Sequence, residues 1–187
     1  MGYFVGVDQA LLKIGFCVIQ DDGEAEKFEL IKPTPKVRGT KRLLLLRDLL
    51  ETALLPYAGQ VIHAALEGQS LGSLGDIDQL GQINGVVQIV LADIGVADPS
   101  IVPPATLKKF VTGKGHASKA LMRTATEQHW GLDIEQDDLC DAFGLAQVAR
   151  EVHQQQSILR HQIEAVHSLH AKKRRRAPVR RVLPESL

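Results

Sequence analysis

The sequence predicts an α/β layered fold with a mixed sheet, on two observations. Three short apolar runs follow one another at the start of the chain, and beyond them helical and strand-like segments alternate. Residues 3–8, 14–20 and 25–31 have the length and side chains of strands, and Asp21-Asp22-Gly23 supplies hairpin chemistry between the second and third. Residues 40–55 carry leucines on one helical face and stop at Pro56. A fourth strand is expected over 61–67, followed by a glycine-punctuated stretch. Ile77, Leu80, Ile83, Val87 and Leu91 then recur at helical spacing and predict a helix over 76–94. Ile101 and Val102 make a short last strand closed by Pro103-Pro104, and helices are expected over 105–111 and 117–130. A final helix starts near Asp138 and is expected to run past residue 165.

At 187 residues the chain has room for one substantial core with an appendage. The expected division is a domain over 1–153 and an extension over 154–187, made of the end of the last helix and a basic tail. No apolar run reaches the roughly 18–20 residues needed to span a bilayer, so no membrane partner is expected. The N-terminus enters strand-like sequence with no signal-peptide pattern. Cys17 and Cys140 have no zinc-like spacing and fit inert thiols in a reducing, cytoplasmic setting.

Net charge is zero, from 22 basic and 22 acidic residues, but it is unevenly placed. From Lys172 onward seven basic residues stand against one acid, which makes the tail +6 and the rest −6. The cluster Lys172-Lys173-Arg174-Arg175-Arg176 suits a nucleic-acid backbone, bound without sequence reading and in a salt-sensitive way. Its alternatives are a solubilising terminus or a nuclear import signal. Pro178 and Pro184 argue against a helix there. His153, His161, His167 and His170 share the last helical pattern, but their spacing brings no ligand pair together, so they read as a solvated face.

Chemistry enters with four acids. Asp8 ends the run Tyr3-Phe4-Val5-Gly6-Val7, and Glu67 ends Val61-Ile62-His63-Ala64-Ala65-Leu66. Asp138 and Asp141, three apart, share one helix face. Two strand-end carboxylates plus a helical pair form the oxygen-only ligand set that Mg²⁺ prefers. Two such ions about 3.5–4 Å apart are a standard device for phosphodiester cleavage, so the set reads as a metal-dependent nuclease. Singly, each acid has a structural alternative, as a turn residue or a helix cap near the macrodipole. Asp141 fits that alternative least, because Ala142, Phe143 and Ala146 put its helix against a core and a lone carboxylate there is costly.

The ordered set resembles the RuvC family of Holliday-junction resolvases, within the ribonuclease H-like superfamily. The likeness rests on Gly6-Val7-Asp8 with Gly15, on Ala65-Leu66-Glu67, on Leu80-Gly81-Gln82 with Gly85, and on Asp138 with Asp141-Ala142. It extends through Val102-Pro103-Pro104-Ala105 and Gly113-Lys114-Gly115 to Lys119, over about residues 3–150. The resemblance implies a five-stranded ribonuclease H-like sheet, three antiparallel strands and then parallel ones, flanked by helices. It implies a homodimer that nicks a four-way DNA junction symmetrically in recombination and repair, with two Mg²⁺ per site and Mn²⁺ able to substitute. Asp8 would bridge both metals, Glu67 would bind one, and Asp138 and Asp141 would complete the second site. Water activated there would attack, and Lys119 matches the family's active-site lysine. Lys114 and His116 would touch phosphate, against the alternative of an exposed loop.

This chain also departs from its relatives. Gln9-Ala10-Leu11-Leu12 follows the first Asp, where relatives carry small residues with a Ser or Thr. Gly68 to Gly75 lacks the aromatic that relatives wedge into a junction, so Leu71 or Leu74 would have to serve, unless they simply cover core. The basic tail suits a phage or mobile-element member. Two other classes stay open: a ribonuclease H-like nuclease acting on hybrid or other branched substrates, and a catalytically silent junction-binding protein. Gly113-Lys114-Gly115 does not complete a phosphate-binding loop, so no ATP site is implied. The helix over 76–94 is the candidate dimer surface by analogy.

Overall fold

The structure, a computed structural model, describes residues 2–34, 36–68 and 74–176, with the side chains of 74–76 and 172–176 left aside. Strands β1 (Tyr3–Gln9), β2 (Ile14–Gln20) and β3 (Ala25–Ile31) form an antiparallel meander. Helix α1 (Gly39–Leu54) and a short 3₁₀ turn lead to β4 (Val61–Glu67), which pairs parallel with β1. Helix α2 (Leu74–Asp93) returns the chain to β5 (Ser100–Val102), parallel to β4. The sheet order is β3-β2-β1-β4-β5. Four helices follow: α3 (Pro104–Thr112), α4 (Lys119–Trp130), α5 (Asp137–Gln154) and α6 (Arg160–Arg176). The expected mixed five-stranded sheet is therefore the observed one.

The sheet is covered on both faces, because strand side chains alternate between them. Val5, Val7, Phe16, Val18, Ala64 and Leu66 face α1 and α2, where they meet Leu46, Leu50, Leu54, Ile83, Val87 and Leu91. Phe4, Cys17, Ile19 and Ala65 face the other way, onto Ala142, Phe143, Leu145, Ala146 and Ala149 of α5. Helices α3, α4 and α6 add Phe110, Met122 and Val166 to this second core.

Two glycines set how close α5 lies to the sheet. A Cβ at Gly6 would fall 2.0 Å from the carbonyl oxygen of Ala142 and 2.2 Å from the nitrogen of Ala146. At Gly15 a Cβ would meet the Asp138 backbone at 2.9 Å. The helix backbone thus rests directly on β1 and β2, and its first turn sits over the ends of these strands.

The single last helix expected from the sequence is two helices. Gln155 adopts the left-handed conformation (φ 53°) and ends α5. The buried Glu151 carboxylate then accepts the Gln156 backbone N–H at 3.2 Å and that of Ser157 at 2.9 Å. Helix α6 turns back onto α3 and places Ala165 and Val166 in the core. Its backbone also stays helical through Arg176. This corrects the expectation drawn from Pro178: proline constrains itself and the residue before it, so the turn ending at Arg176 is untouched.

Candidate functional site

Alternation places Asp8 on the α5 face, together with Phe4 and Gly6. On β4, Glu67 shares the face of Ala65. The parallel register matches Val7 with Leu66, so Asp8 and Glu67 follow side by side at the strand ends. On the other side Asp8 pairs with Gly15, whose missing side chain admits the first turn of α5. That turn carries Asp138, and Asp141 lies one turn later on the same face. Two strands and one helix thereby direct four acids toward one end of the sheet.

Their electrostatics show mutual influence. Asp8 is only 7 % exposed, and burial, followed by the charges of Glu67, Asp141 and Asp138, pushes its carboxyl up to about 8. Burial also raises Glu67, while a shared hydrogen bond with Asp8 and the charge of Lys108 pull it back. Asp141 is pushed up to about 6, by burial first and Glu67 second, against Lys119 and Lys108. These carboxylates repel one another in a partly dry site, which is the condition a divalent cation relieves. Oxygen-only donors are also what hard Mg²⁺ and Mn²⁺ accept. The residues therefore fit the metals inferred from the sequence. Among the described residues, no three His, Cys, Asp or Glu side chains are drawn in closely enough to hold an ion as they stand.

Cations surround the acids in an arrangement the sequence did not reveal. Lys13, on the turn between β1 and β2, forms an ion pair with Asp138. Lys119, largely exposed at the start of α4, bonds Asp137 at 3.0 Å, and Arg123 approaches the same residue at 3.7 Å. Asp137 raises Lys119 most, with smaller contributions from Asp138 and Asp141. Lys119 is thus beside the site but engaged with its acidic neighbour. Lys108, half-buried on α3, acts on both Glu67 and Asp141. Gln9 donates its side-chain N–H to the Glu67 carbonyl at 2.5 Å, tying the end of β4 to β1. Spacing could not find Lys13 or Lys108, since each meets its acids only through tertiary packing.

The remaining sequence candidates are dispersed. Lys114 and His116 are exposed in the loop between α3 and α4. Leu71 lies outside the described residues. Lys172, Lys173, Arg174, Arg175 and Arg176 lie on the last turns of α6. His161 and His129 come together, ring centroids 6.0 Å apart, and burial lowers His161 from its usual range. So His161 belongs to the α4–α6 packing and not to a solvated face. Cys17 and Cys140 are free and buried, with burial pushing both thiols up, which fits inert thiols. Among the described residues no helix is long and apolar enough to cross a membrane.

An antiparallel meander continued by parallel strands, with acids at the ends of β1 and β4 and on a helix crossing the sheet, defines the ribonuclease H-like fold. Within that fold the chain resembles Thermus thermophilus RuvC, with a TM-score of 0.67 and 18 % identity over 91 % of this chain and 96 % of that one. It is equally similar to T. thermophilus RuvC in complex with Holliday junction substrate, with a TM-score of 0.68 and 18 % identity over 92 % and 96 % of the two chains. No protein-family model and no curated protein matches the sequence.

Proposed function

We propose that this chain is a metal-dependent endonuclease that resolves four-way DNA junctions, acting as a homodimer that places one site on each of two strands. One observation carries the reading: Asp8, Glu67, Asp138 and Asp141 arrive from three elements at one end of a RuvC-like sheet, where burial and the neighbouring acids raise Asp8 and Asp141. Buried acids in mutual repulsion are costly to a fold and are kept where a cation uses them.

In this reading Asp8 and Glu67, with Asp138 and Asp141, would hold the ions, Asp8 being the ligand common to both. Two Mg²⁺, or Mn²⁺ in their place, would supply Lewis acidity and lower the pKa of the attacking water. The protein's part is geometric and electrostatic. Gly6 and Gly15 hold α5 against the sheet so that its acids stay in register with the strand ends. Gln9 fixes the backbone at Glu67. Lys108 and Lys119 supply positive charge where the phosphate gains negative charge. Lys114 and His116 extend this surface along the backbone, Leu71 wedges between bases, and the Lys172–Arg176 cluster anchors a junction arm. The nuclease domain covers 1–153, and the extension 154–187 packs its helix α6 back onto that domain, in a cytoplasmic protein.

Cleavage of a mobile four-way junction, beside linear duplex, fork and RNA–DNA hybrid, tests this directly. The expected outcome is paired symmetric nicks on the junction alone, present with Mg²⁺ or Mn²⁺ and lost with chelator. Cutting of hybrid or fork instead would keep the metal site and discard the resolvase. Tight junction binding with no cutting under any metal would make the protein a binder.

A further inference from the structure

Lys13 is the one cation among the described residues in an ion pair with any of the four proposed ligands. Its position is built. The Ala10 backbone N–H donates to the Lys13 carbonyl at 2.9 Å, closing the turn between β1 and β2. Lys13 ends that turn, one residue before β2 and two before Gly15, whose open side meets α5. At Gly15 a Cβ would lie 3.3 Å from the Asp138 Cβ. The hairpin therefore leaves space under Asp138 at one residue and sends an ammonium to its carboxylate from another. The Lys13 side chain is 37 % exposed and that of Asp138 19 %, so each can exchange its partner without unpacking the core.

We propose that Lys13 is an internal counterion of the metal site, holding Asp138 in the metal-free protein and yielding that carboxylate to an incoming divalent cation. The proposal rests on the reading of the four acids as metal ligands. A pair this exposed contributes little to stability by itself. Its importance is local: it is the direct ion pair offered to a set of four acids gathered at one end of the sheet. Lysine, a point charge on a flexible stem, can leave and return where a fork-shaped arginine would tend to lock the carboxylate. The consequence is a site whose affinity is set by competition. An ammonium about 6 Å from a divalent ion in a water-like dielectric opposes its binding about tenfold.

The test is calorimetric titration of the full chain with Mn²⁺ alone, for the wild type, Lys13→Gln and Lys13→Arg, with melting of each protein in chelator alongside. The expected result is about tenfold tighter Mn²⁺ binding by Lys13→Gln, affinity no tighter than wild type for Lys13→Arg, and melting temperatures in chelator that differ little among the three. Equal affinities of wild type and Lys13→Gln would overturn the counterion role while leaving the metal site standing. Weaker binding by Lys13→Gln would also overturn it, making Lys13 a residue that pre-positions Asp138. Absence of Mn²⁺ binding by every variant would overturn the metal-site reading, and the counterion with it.

Discussion

Replacing Asp8 with Asn should stabilise the metal-free protein, because the wild type carries a carboxylate its surroundings disfavour. Asp8 is held at about 8 against an ordinary 3.8. Its folded pKa is raised, so the stability it contributes is complete below the unfolded value and is lost as pH climbs from 3.8 through about 8. Fully ionised, the native state would bear up to about 6 kcal/mol, at about 1.4 kcal/mol per pH unit. The substitution recovers only part of this, since Glu67 shares the proton and ionises more readily once Asp8 is neutral. A gain of about 2–3 kcal/mol is therefore expected near pH 8.5, and almost none near pH 4. For a chain of this size that corresponds to a rise of roughly 4–12 °C in melting temperature. The assay is thermal denaturation in chelator at both pH values, followed by titration with Mg²⁺ at the higher one. Magnesium should close the gap by stabilising the wild type. Coincident melting curves near pH 8.5 in chelator, or a less stable Asp8→Asn protein at both pH values, would refute the argument from buried like charge.

Gly6→Ala should cost about 3 kcal/mol or more in urea denaturation, since its Cβ would overlap the Ala142 and Ala146 backbone. Gly15→Ala, whose Cβ would meet Asp138 at 2.9 Å, should cost less and weaken Mn²⁺ binding by lifting Asp138. Glu151→Ala strands the Gln156 and Ser157 N–H groups and should cost about 1–3 kcal/mol, with limited proteolysis opening the α5–α6 turn first. Replacing Lys172, Lys173, Arg174, Arg175 and Arg176 by Gln should flatten the plot of log junction affinity against log salt, by about 0.9 for each phosphate no longer neutralised. An unchanged slope would remove the cluster from the DNA surface.

The acids were legible because each ends or opens an element whose period is visible in the sequence. Asp8 and Glu67 close apolar runs, and Asp138 and Asp141 share a helical face, so direction follows from alternation and the 3.6-residue turn. What surrounds them was hidden for a physical reason. Lys13 meets Asp138 across 125 positions of sequence, and Lys108 reaches Glu67 and Asp141 only because α3 packs on α5. Lys119 is found by its motif, but its pairing with Asp137 exists only where α4 and α5 pack together. Gln154-Gln155-Gln156 interrupt the apolar stripe, but no proline or glycine marks a helix end there, and Leu159, Ile163 and Val166 resume the stripe at helical spacing. Glu151 imposes the break by reaching forward to two backbone groups, and no local propensity reveals such an interaction.

The two glycines connect the fold to the proposed chemistry. A helix packed on a sheet through side chains would stand about 10 Å away. With Gly6 and Gly15 beneath it, the backbone of α5 drops onto β1 and β2, and its acids reach the strand ends. Closeness then creates the charge problem, since Asp8, Glu67 and Asp141 each lose water as the layers approach. The same packing that stabilises the layers through Ala142 and Ala146 destabilises the carboxylates beside it. Lys108 offsets part of that cost at Glu67 and Asp141, while Lys13 pairs with Asp138. Widening the gap by a single methyl at Gly15 should therefore move three quantities together. Asp8 should fall back toward an ordinary carboxylate pKa, the metal-free protein should lose its penalty at high pH, and Mn²⁺ affinity should drop. If affinity dropped while the pH dependence of stability stayed unchanged, helix proximity would not be the source of the strain on Asp8.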